Sequence, residues 1–278
     1  MKSLILGLLA ETSIHPGAGQ SSGFVDLPVA REAATDYPVI VGSSVKGALL
    51  DLARDPQSKV DEATRKRIFG EQENAGALLV SDIRLLLLPI RSLKSAYKWV
   101  TCPHLIERLM RDVRRSSSTL RETTVEVSVA DGHYLGLNEG ELFLEERQFQ
   151  PQPDSEDLAT LHAVIQPLLK HEESRKRLPQ QLVVISDRDF MWFARFGLAI
   201  NARNVLNEKT KISENLWYEE TIPSDSVFYG LLAERGSGAL DTVKGIFAKR
   251  PYLQVGGNET VGQGWFAVSV VDGNGGAA

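Results

Sequence analysis

The chain has 278 residues, of which 42% are hydrophobic, and this composition favours a globular protein with a sizeable core over a disordered one. No apolar run approaches the roughly 20 residues that a membrane helix needs, and a single cysteine, Cys102, excludes an internal disulfide and a cysteine-based zinc site. A net charge of −5 argues against a free-standing nucleic-acid-binding protein, which normally carries a basic excess, but it allows a local basic groove or a ligand shared between subunits. We expect a soluble, cytoplasmic protein.

The N-terminal part predicts a strand and a helix on either side of a glycine-rich loop. Residues 4–10 form an apolar run that suits a buried strand. The loop "HPGAGQSSGFVDLP", residues 15–28, follows it. After a short extended stretch at 37–41, apolar residues on one face predict a helix over 45–54, which Asp55-Pro56 ends.

The rest of the chain mixes predicted strands and helices. Strands are predicted at 76–89, 123–130, 140–149, 181–187, 226–234, 252–255 and 265–271, and helices around 104–115, 158–168, 188–196 and 240–247. We expect a solvated break over 170–181. Two β-like arms flank residues 207–210, which predicts a protruding hairpin at about 198–222. Because strands and helices do not alternate strictly, and no linker divides the chain, we expect a single α+β domain over 1–278 with a flexible tail at 272–278.

Two chemically active side chains lie on the opening loop. The carboxylate of Asp26 sits among apolar neighbours, and on a ligand-facing loop it can bind a divalent metal or take a proton from a hydroxyl. The imidazole of His15 can act as an acid or a base near neutral pH. The alternatives are that Asp26 caps a turn and that His15 is a solvated loop residue.

Two further segments offer backbone N–H groups to an anion. Ser43 or Ser44 is predicted to cap the helix, which places Lys46 in the first turn, where a cation beside free N–H groups makes a phosphate site. The alternative is a solvated lysine on an ordinary capped helix. Near the C-terminus, residues 256–264 contain four glycines, Gly256, Gly257, Gly262 and Gly264. Such a loop can leave N–H groups open to a ligand, or it can be a plain hairpin loop.

The other candidate residues favour structural roles. The remaining histidines are scattered along the chain with no metal-binding spacing. We expect Trp192, Phe193 and Phe196 in the core rather than on a surface that stacks bases.

Three stretches occur in an order that is typical of one protein family. They are "HPGAGQSSGFVDLPVAREAATDYPVIVGSSVKGALLD", "IFGEQENAGALLVSDIRLLLLPIRSLKSAYKWVTCPHLIERLMRD" and the terminal "GGNETVGQGWFAV". Together they resemble the RAMP superfamily of CRISPR antiviral-defence proteins, and within it the repeated backbone subunit of the type III-B (Cmr) RNA-targeting effector complex. Residues from about 124 to 180 carry no comparable signature.

The resemblance implies a ferredoxin-like (RRM-like) palm with insertions and a β-hairpin thumb at 198–222. It implies that copies of the subunit, with other Cmr subunits, stack along a CRISPR guide RNA, and that each thumb interrupts the guide–target duplex. The subunit would then cut the single-stranded target RNA, with Asp26 as the catalytic carboxylate and His15 as a weaker catalytic candidate. RNA contacts are expected from Ser43, Ser44, Lys46, Arg203, Gly256, Gly257, Gly262 and Gly264.

The implied reaction uses the target's own 2′-hydroxyl, a group that only RNA has, for in-line attack on the adjacent phosphate. Asp26 would hold a divalent metal ion, Mg²⁺ or Mn²⁺, or act as general base. Glu219 and Glu220 could assist the metal, but a solvated hairpin arm is the stronger expectation. The alternatives are a non-catalytic guide-binding scaffold and the type III-A backbone paralogue, although "VDLPVARE" and "YPVIVGSSVKG" favour the type III-B form.

Overall fold

The computed structural model describes residues 1–272 except 22, 117–118, 138–139, 154–156 and 237. Helices and strands are mixed along this part of the chain, which confirms the α+β class. Among its helices, none combines the length and the apolar character needed to span a membrane. Residues 273–278 of the predicted flexible tail lie outside the described residues, whereas Asp272 is described and pairs with Lys244.

The strands of the described residues are β1 (Ser3–Ala10), β2 (Val39–Ile40), β3 (Gly70–Glu71), β4 (Asn74–Ala75), β5 (Leu78–Val80), β6 (Ile83–Ser92), β7 (Ser95–Thr101), β8 (His133–Leu135), β9 (Leu142–Leu144), β10 (Arg147–Pro151), β11 (Leu182–Ile185), β12 (Ala199–Leu206), β13 (Ser213–Thr221), β14 (Val227–Glu234), β15 (Tyr252–Gln254) and β16 (Trp265–Val271). The helices are α1 (Gly42–Arg54), α2 (Glu62–Phe69), α3 (Pro103–Arg115), α4 (Asp157–Ile165), α5 (Glu172–Gln181), α6 (Asp187–Phe196) and α7 (Ala239–Lys249).

Four antiparallel strands in the order β16-β1-β14-β6 form the first part of the large sheet. Helix α1 lies in the chain between β1 and β6, and α7 lies between β14 and β16. Alternate residues of β1 face opposite sides, so that Leu4, Leu6 and Leu8 join the core cluster that contains the buried faces of α1 and α7, while Ile5 and Leu9 join a second cluster. The sheet is therefore buried on both faces, which explains why β1 is apolar throughout and confirms its prediction.

The second part of the sheet closes on itself. From β6 the pairing runs through β7, β11, β8, β10 and β9, and it returns to β6 where Ser92 pairs with Leu144. Strand β6 is long enough to belong to both parts, because Pro89 lies within it rather than closing it. The sequence did not predict this six-strand ring.

Two segments of this region differ from the sequence-based expectation. Residues 123–130, predicted as a strand, have no regular secondary structure. Residues 170–181, predicted as a solvated break, contain α5, in which the acidic Glu172 and Glu173 occupy the favourable N-terminal turn and Pro179 lies inside the helix. A highly charged helix that buries few side chains gives little hydrophobic periodicity to detect.

Strands β12 and β13 form a separate antiparallel hairpin that follows α6 directly. It spans residues 199–221, within the predicted range of about 198–222. Most of its side chains are exposed, but the last three residues of β13 are buried at its base. The hairpin therefore leaves the core at its base and projects from it.

Candidate functional site

The opening loop is bonded to the base of the hairpin. The Asp26 Oδ2 atom accepts a hydrogen bond of 2.7 Å from the backbone N–H of Tyr218. The N–H of Leu27 donates to the carbonyl of Tyr218 at 3.1 Å, and the N–H of Glu220 donates to the carbonyl of Leu27 at 3.0 Å. This short parallel pairing along β13 holds the Asp26 carboxylate, which is half-buried, at the edge of the hairpin.

A buried ion pair fixes the residues that follow Asp26. The Glu220 carboxylate accepts hydrogen bonds from the Val29 N–H at 3.0 Å and from Arg31 Nη2 at 2.6 Å. Arg31 Nη1 also donates to the carbonyls of Asp36 and Ala194, at 2.8 Å each. One guanidinium thus joins the opening loop, the hairpin base and the end of α6.

A second carboxylate anchors the same segment to α3. Glu32 accepts hydrogen bonds from both terminal nitrogens of Arg108 and from the Thr35 hydroxyl. Burial alone would raise the pKa of Glu32, but the hydrogen bonds from Arg108 and Thr35 outweigh it and hold that pKa below its usual value. Glu32 is therefore ionised in the folded protein at neutral pH.

The expectation that Glu219 and Glu220 lie on a solvated arm is wrong. Glu219 is 3% exposed and Glu220 is 7% exposed. The Glu219 Oε1 atom accepts from Arg203 Nη2 at 3.1 Å and from Asn258 Nδ2 at 2.7 Å, which ties the hairpin to the C-terminal loop. Buried carboxylates need such partners, and the polarity of these two glutamates on a mostly exposed hairpin concealed their burial.

His15 is also buried, at 7% exposure, rather than solvated. Its Nδ1 lies 2.8 Å from the carbonyl oxygen of Glu220, and because a carbonyl only accepts, Nδ1 must carry the proton. The ring packs between two glycines. A Cβ would lie 3.1 Å from His15 Nε2 at Gly17 and 3.3 Å from His15 Cδ2 at Gly257. His15 thus joins the opening loop to the hairpin base and to the C-terminal loop.

The start of α1 differs from its prediction. The helix begins at Gly42, and its N-cap position, Val41, has no side-chain cap. Ser43 and Ser44 lie inside the first turn, exposed, so neither is the cap, and Lys46 lies in the second turn, half-buried. The Gly42 N–H instead donates to Asp82 Oδ1 at 2.8 Å. This carboxylate already satisfies part of the helix N-terminus that was expected to attract phosphate.

The C-terminal loop leaves fewer free N–H groups than expected. The N–H of Gly257 donates to the carbonyl of His15 at 2.9 Å, that of Gly262 to Glu259 at 2.9 Å, and that of Gly264 to Ser13 at 3.0 Å. Gly256 has a positive φ of 101°, and a Cβ there would lie 2.9 Å from the His15 carbonyl oxygen. Gly256 and Gly257 therefore permit close packing against the opening loop.

A groove of about 630 Å³ brings three predicted segments together. We call it the palm groove, and its lining includes Pro16 and Gly17 of the opening loop, Ser44 of α1, and Gly256 and Gly257 of the C-terminal loop. The carboxylates of Asp51, Asp55 and Glu259 also line it, with Arg250 paired to Asp55 at 2.8 Å. The groove thus has an acidic side as well as the predicted segments.

A second groove, of about 430 Å³, lies between the opening loop and the hairpin. We call it the hairpin groove, and its walls include Ser21, Asp26 and Leu27 on one side and Asn215, Leu216 and Trp217 on the other. The sequence analysis did not single out Trp217. It lies next to Asp26 because the opening loop bonds to the hairpin at Tyr218, 192 positions from Asp26. The sequence pattern gives no signal for a contact at that separation.

The described residues offer little to a metal ion on their own. They contain no group of three or more His, Cys, Asp or Glu side chains that could hold a metal. In the hairpin groove, Asp26 is the acidic residue of the described lining, and its Oδ2 already accepts from Tyr218. Mg²⁺ often binds one or two carboxylates together with substrate phosphates and waters, so a metal held by Asp26 would need further oxygen ligands from a bound substrate.

The aromatic residues of α6 are divided between the core and the surface. Phe193 is buried, as expected, but Trp192 is 39% exposed and Phe196 is 64% exposed. Arg147 lies over the Trp192 ring, 5.1 Å from its centroid. The core prediction is therefore wrong for two of these three residues.

Comparison with known proteins places these features in a family. The family model described as the RAMP superfamily matches residues 8–267. The chain is 35% identical to the CRISPR system Cmr endoribonuclease Cmr4 of Pyrococcus furiosus, and the match covers 99% of each chain. The crystal structure of oligomeric Cmr4 from Pyrococcus furiosus is similar with a TM-score of 0.79, at 28% identity over 98% of both chains.

The fold also matches a chain of a larger assembly. The cryo-EM structure of the type III-B Cmr-beta complex bound to cognate target RNA contains a chain that is similar with a TM-score of 0.72. That match covers 97% of both chains at 21% identity, so the likeness concerns the fold alone.

Proposed function

The chain belongs to the RAMP superfamily, and from that premise we propose that it is the repeated backbone subunit of a type III-B CRISPR effector that cleaves target RNA. Full-length identity of 35% to a Cmr endoribonuclease supports this function. The observation that carries the catalytic part is the placement of Asp26, whose carboxylate is fixed by Tyr218 at the edge of the hairpin and faces a groove.

In this proposal the sheet β16-β1-β14-β6, with α1 and α7 as its connections, is a ferredoxin-like palm. The strand order and the antiparallel pairing support that assignment. The hairpin of β12 and β13 is the thumb that separates guide and target strands. The other five strands of the six-strand ring, β7 to β11, are an insertion between the palm strands β6 and β14.

We place the guide RNA along the palm, with contacts from Ser43, Ser44, Lys46, Gly256, Gly257, Gly262 and Gly264 and from Arg203 on the hairpin. The palm groove supports this placement, because it joins the start of α1 to the C-terminal loop. Lys46 supplies a cation to the RNA backbone. Because many copies share one guide RNA, each subunit needs few cations, which accounts for the net charge of −5.

The proposed reaction is transesterification within the target strand. The Asp26 carboxylate accepts the proton of the 2′-hydroxyl, and the 2′-oxygen forms a bond to the adjacent phosphorus while the bond to the 5′-oxygen breaks. The leaving 5′-oxygen takes a proton from solvent, so the products are a 2′,3′-cyclic phosphate and a 5′-hydroxyl. His15 shapes the loop, since it is buried and bonded to the Glu220 carbonyl.

A divalent ion, Mg²⁺ or Mn²⁺, is part of the proposal. When bound, it would neutralise charge that develops on the phosphate. As the alternative to its role as general base, the carboxylate of Asp26 would hold this ion together with RNA phosphate oxygens, and the 2′-hydroxyl proton would then pass to solvent water. Buried Glu219 and Glu220 are occupied by arginine, amide and backbone N–H donors and contribute no ligand.

The test is Asp26→Asn in a complex reconstituted with guide and complementary target RNA. The amide oxygen of asparagine still accepts from the Tyr218 N–H, so assembly and target binding should be unchanged. Cutting should fall at least about a hundredfold, because a general base contributes roughly 10²–10⁴-fold. Asp241→Asn, on an exposed surface of α7, is the matched control and should cut normally.

One change to the substrate and one to the solution separate the chemistry from binding. A single 2′-deoxy nucleotide on the 5′ side of the cut should bind and remain intact, and a chelator should stop cutting without releasing the target. Normal cutting by Asp26→Asn would overturn the catalytic assignment of Asp26 and favour the alternative of a non-catalytic scaffold subunit.

A further inference from the structure

The hairpin groove contains an aromatic ring beside the proposed catalytic carboxylate. Its walls combine the indole of Trp217 and the side chain of Leu216 with one carboxylate, Asp26, and the polar Ser21 and Asn215. At about 430 Å³ it lies in the range of roughly 300–1,000 Å³ that is usual for small-ligand pockets. Its size and mixed polarity suit one nucleotide.

Two N–H donors on one face of the hairpin have no acceptor among the described residues. They are Nε1 of Trp217 and Nε of Arg203, both buried. The two residues are direct partners across β12 and β13, so their side chains lie on the same face. Buried donors in native proteins are almost always satisfied. Trp217 lines the hairpin groove, so its unsatisfied N–H indicates an acceptor that arrives with a ligand.

A nucleotide supplies what each of these groups lacks. Any of the four bases can stack on an indole. The phosphate and carbonyl oxygens of the nucleotide accept N–H hydrogen bonds, and its 2′-hydroxyl can donate to a carboxylate. Trp217 directly precedes Tyr218, whose N–H holds Asp26. A base against Trp217 therefore places its ribose close to the carboxylate.

We propose that Trp217 positions the target nucleotide at the cut, with its base stacked on the indole in the hairpin groove and its ribose at Asp26. Trp217 Nε1 donates a hydrogen bond to an oxygen of that nucleotide. The proposal rests on the RNA-cleaving function above and adds the group that positions the reacting nucleotide. It makes Trp217, which the sequence analysis did not single out, a substrate-binding residue.

The test uses the full reconstituted complex in the Asp26→Asn background, so that the target stays intact. 2-Aminopurine, whose fluorescence is quenched by stacking, is placed in the target at the nucleotide on the 5′ side of the cut. Two control complexes carry the 2-aminopurine elsewhere, one in the target three nucleotides from the cut and one in the guide strand. Trp217 is changed to Phe, which keeps an aromatic ring, or to Leu, which keeps apolar volume without stacking.

We expect Trp217→Leu to relieve the quenching at the nucleotide beside the cut and in neither control complex. Trp217→Phe should retain most of the quenching. With Asp26 restored and target saturating, Trp217→Leu should slow cutting by about tenfold or more, and Trp217→Phe should do so much less. Trp192→Leu, a matched change of an exposed tryptophan on α6, should alter neither measurement.

The outcomes separate this proposal from the proposed function. If Trp217→Leu has no more effect on fluorescence and cutting than the control Trp192→Leu has, the stacking site is wrong even though Asp26 cuts. If quenching changes only in the complex with 2-aminopurine in the guide strand, the groove holds a guide nucleotide and the proposal is overturned. If Trp217→Leu relieves the quenching beside the cut but the wild-type complex does not cut, the groove binds the target and the endonuclease function fails.

Discussion

The hairpin has two parts that differ in almost every physical property. At its base, Glu219, Glu220 and Thr221 are 3%, 7% and 1% exposed, and they are bonded to the opening loop and the C-terminal loop. Along its arms, Leu206, Ile212 and Leu216 are 49%, 67% and 54% exposed. One part is continuous with the core, and the other presents apolar side chains to solvent.

This difference separates the requirements of folding from those of the proposed function. An isolated two-stranded ribbon is only marginally stable in water, so the base must hold the arms in place. The base also carries Tyr218 and Glu220, which fix Asp26 and the residues after it. Substitutions at the base should therefore reduce stability and catalysis together, whereas substitutions in the arms should affect RNA handling alone.

The largest expected loss of stability comes from Arg31→Met. This change removes the cationic partner of Glu220, whose side chain is 9% exposed, and leaves the buried carboxylate with the Val29 N–H as its remaining donor among the described residues. Breaking a buried pair in this way costs roughly 3–5 kcal/mol, and the carbonyls of Asp36 and Ala194 also lose their donor. Urea unfolding measures the loss.

Arg54→Met is the control for that experiment. Arg54 pairs with Asp51 on the surface of α1, where both side chains are more than half exposed, so the change should cost at most about 1 kcal/mol. Equal unfolding free energies for the two variants would show that the hairpin base does not depend on the Arg31–Glu220 pair.

A smaller effect, of about 2 kcal/mol at neutral pH, is expected from Glu32→Gln, which removes the charge that Arg108 binds. Because the folded-state pKa of Glu32 lies below its usual value of 4.5, its stabilisation is fully present above that value and is lost as pH falls through the folded pKa. The difference in unfolding free energy between the wild type and Glu32→Gln should thus shrink in acid.

Urea unfolding of both proteins at pH 7 and at successively lower pH tests the sign of this effect. The gap in unfolding free energy should narrow only below about pH 5. A gap that widens with acid, or one that is constant down to the acid transition, would contradict an ionised Glu32 in the folded state. Glu62→Gln, in an exposed pair with Lys66, should follow the wild type throughout.

Local signals in the sequence predicted the elements but not their connections. Strand β1 and the body of α1 follow from hydrophobic patterns within a few residues, and both are present. The anchoring of Asp26 joins residues 192 positions apart, and the cap of α1 comes from Asp82 rather than from Ser43 or Ser44. Propensity identified plausible caps, but a distant carboxylate replaced them.

The candidate site shows the same division. Asp26 was found because it is a carboxylate in a loop that resembles a known motif. The buried state of His15 and Glu219, by contrast, depends on packing among three segments distant in sequence. Trp217 was missed for a related reason, since alternation along a strand identifies its face but not the opening loop that lies beside it.

The smallest change in stability is expected from Ile212→Ser near the end of the hairpin. Its side chain is 67% exposed, so the change should alter the unfolding free energy by no more than about 0.5 kcal/mol. Ile222→Ser, at a fully buried position just after β13, is the matched substitution and should cost about 2–5 kcal/mol. If the arms act on RNA, Ile212→Ser should weaken the separation of target from guide, seen as less cutting per bound target, while the subunit assembles normally. A large loss of stability in Ile212→Ser would mean that the arms are part of the folded core after all, and the distinction between base and arms would fail.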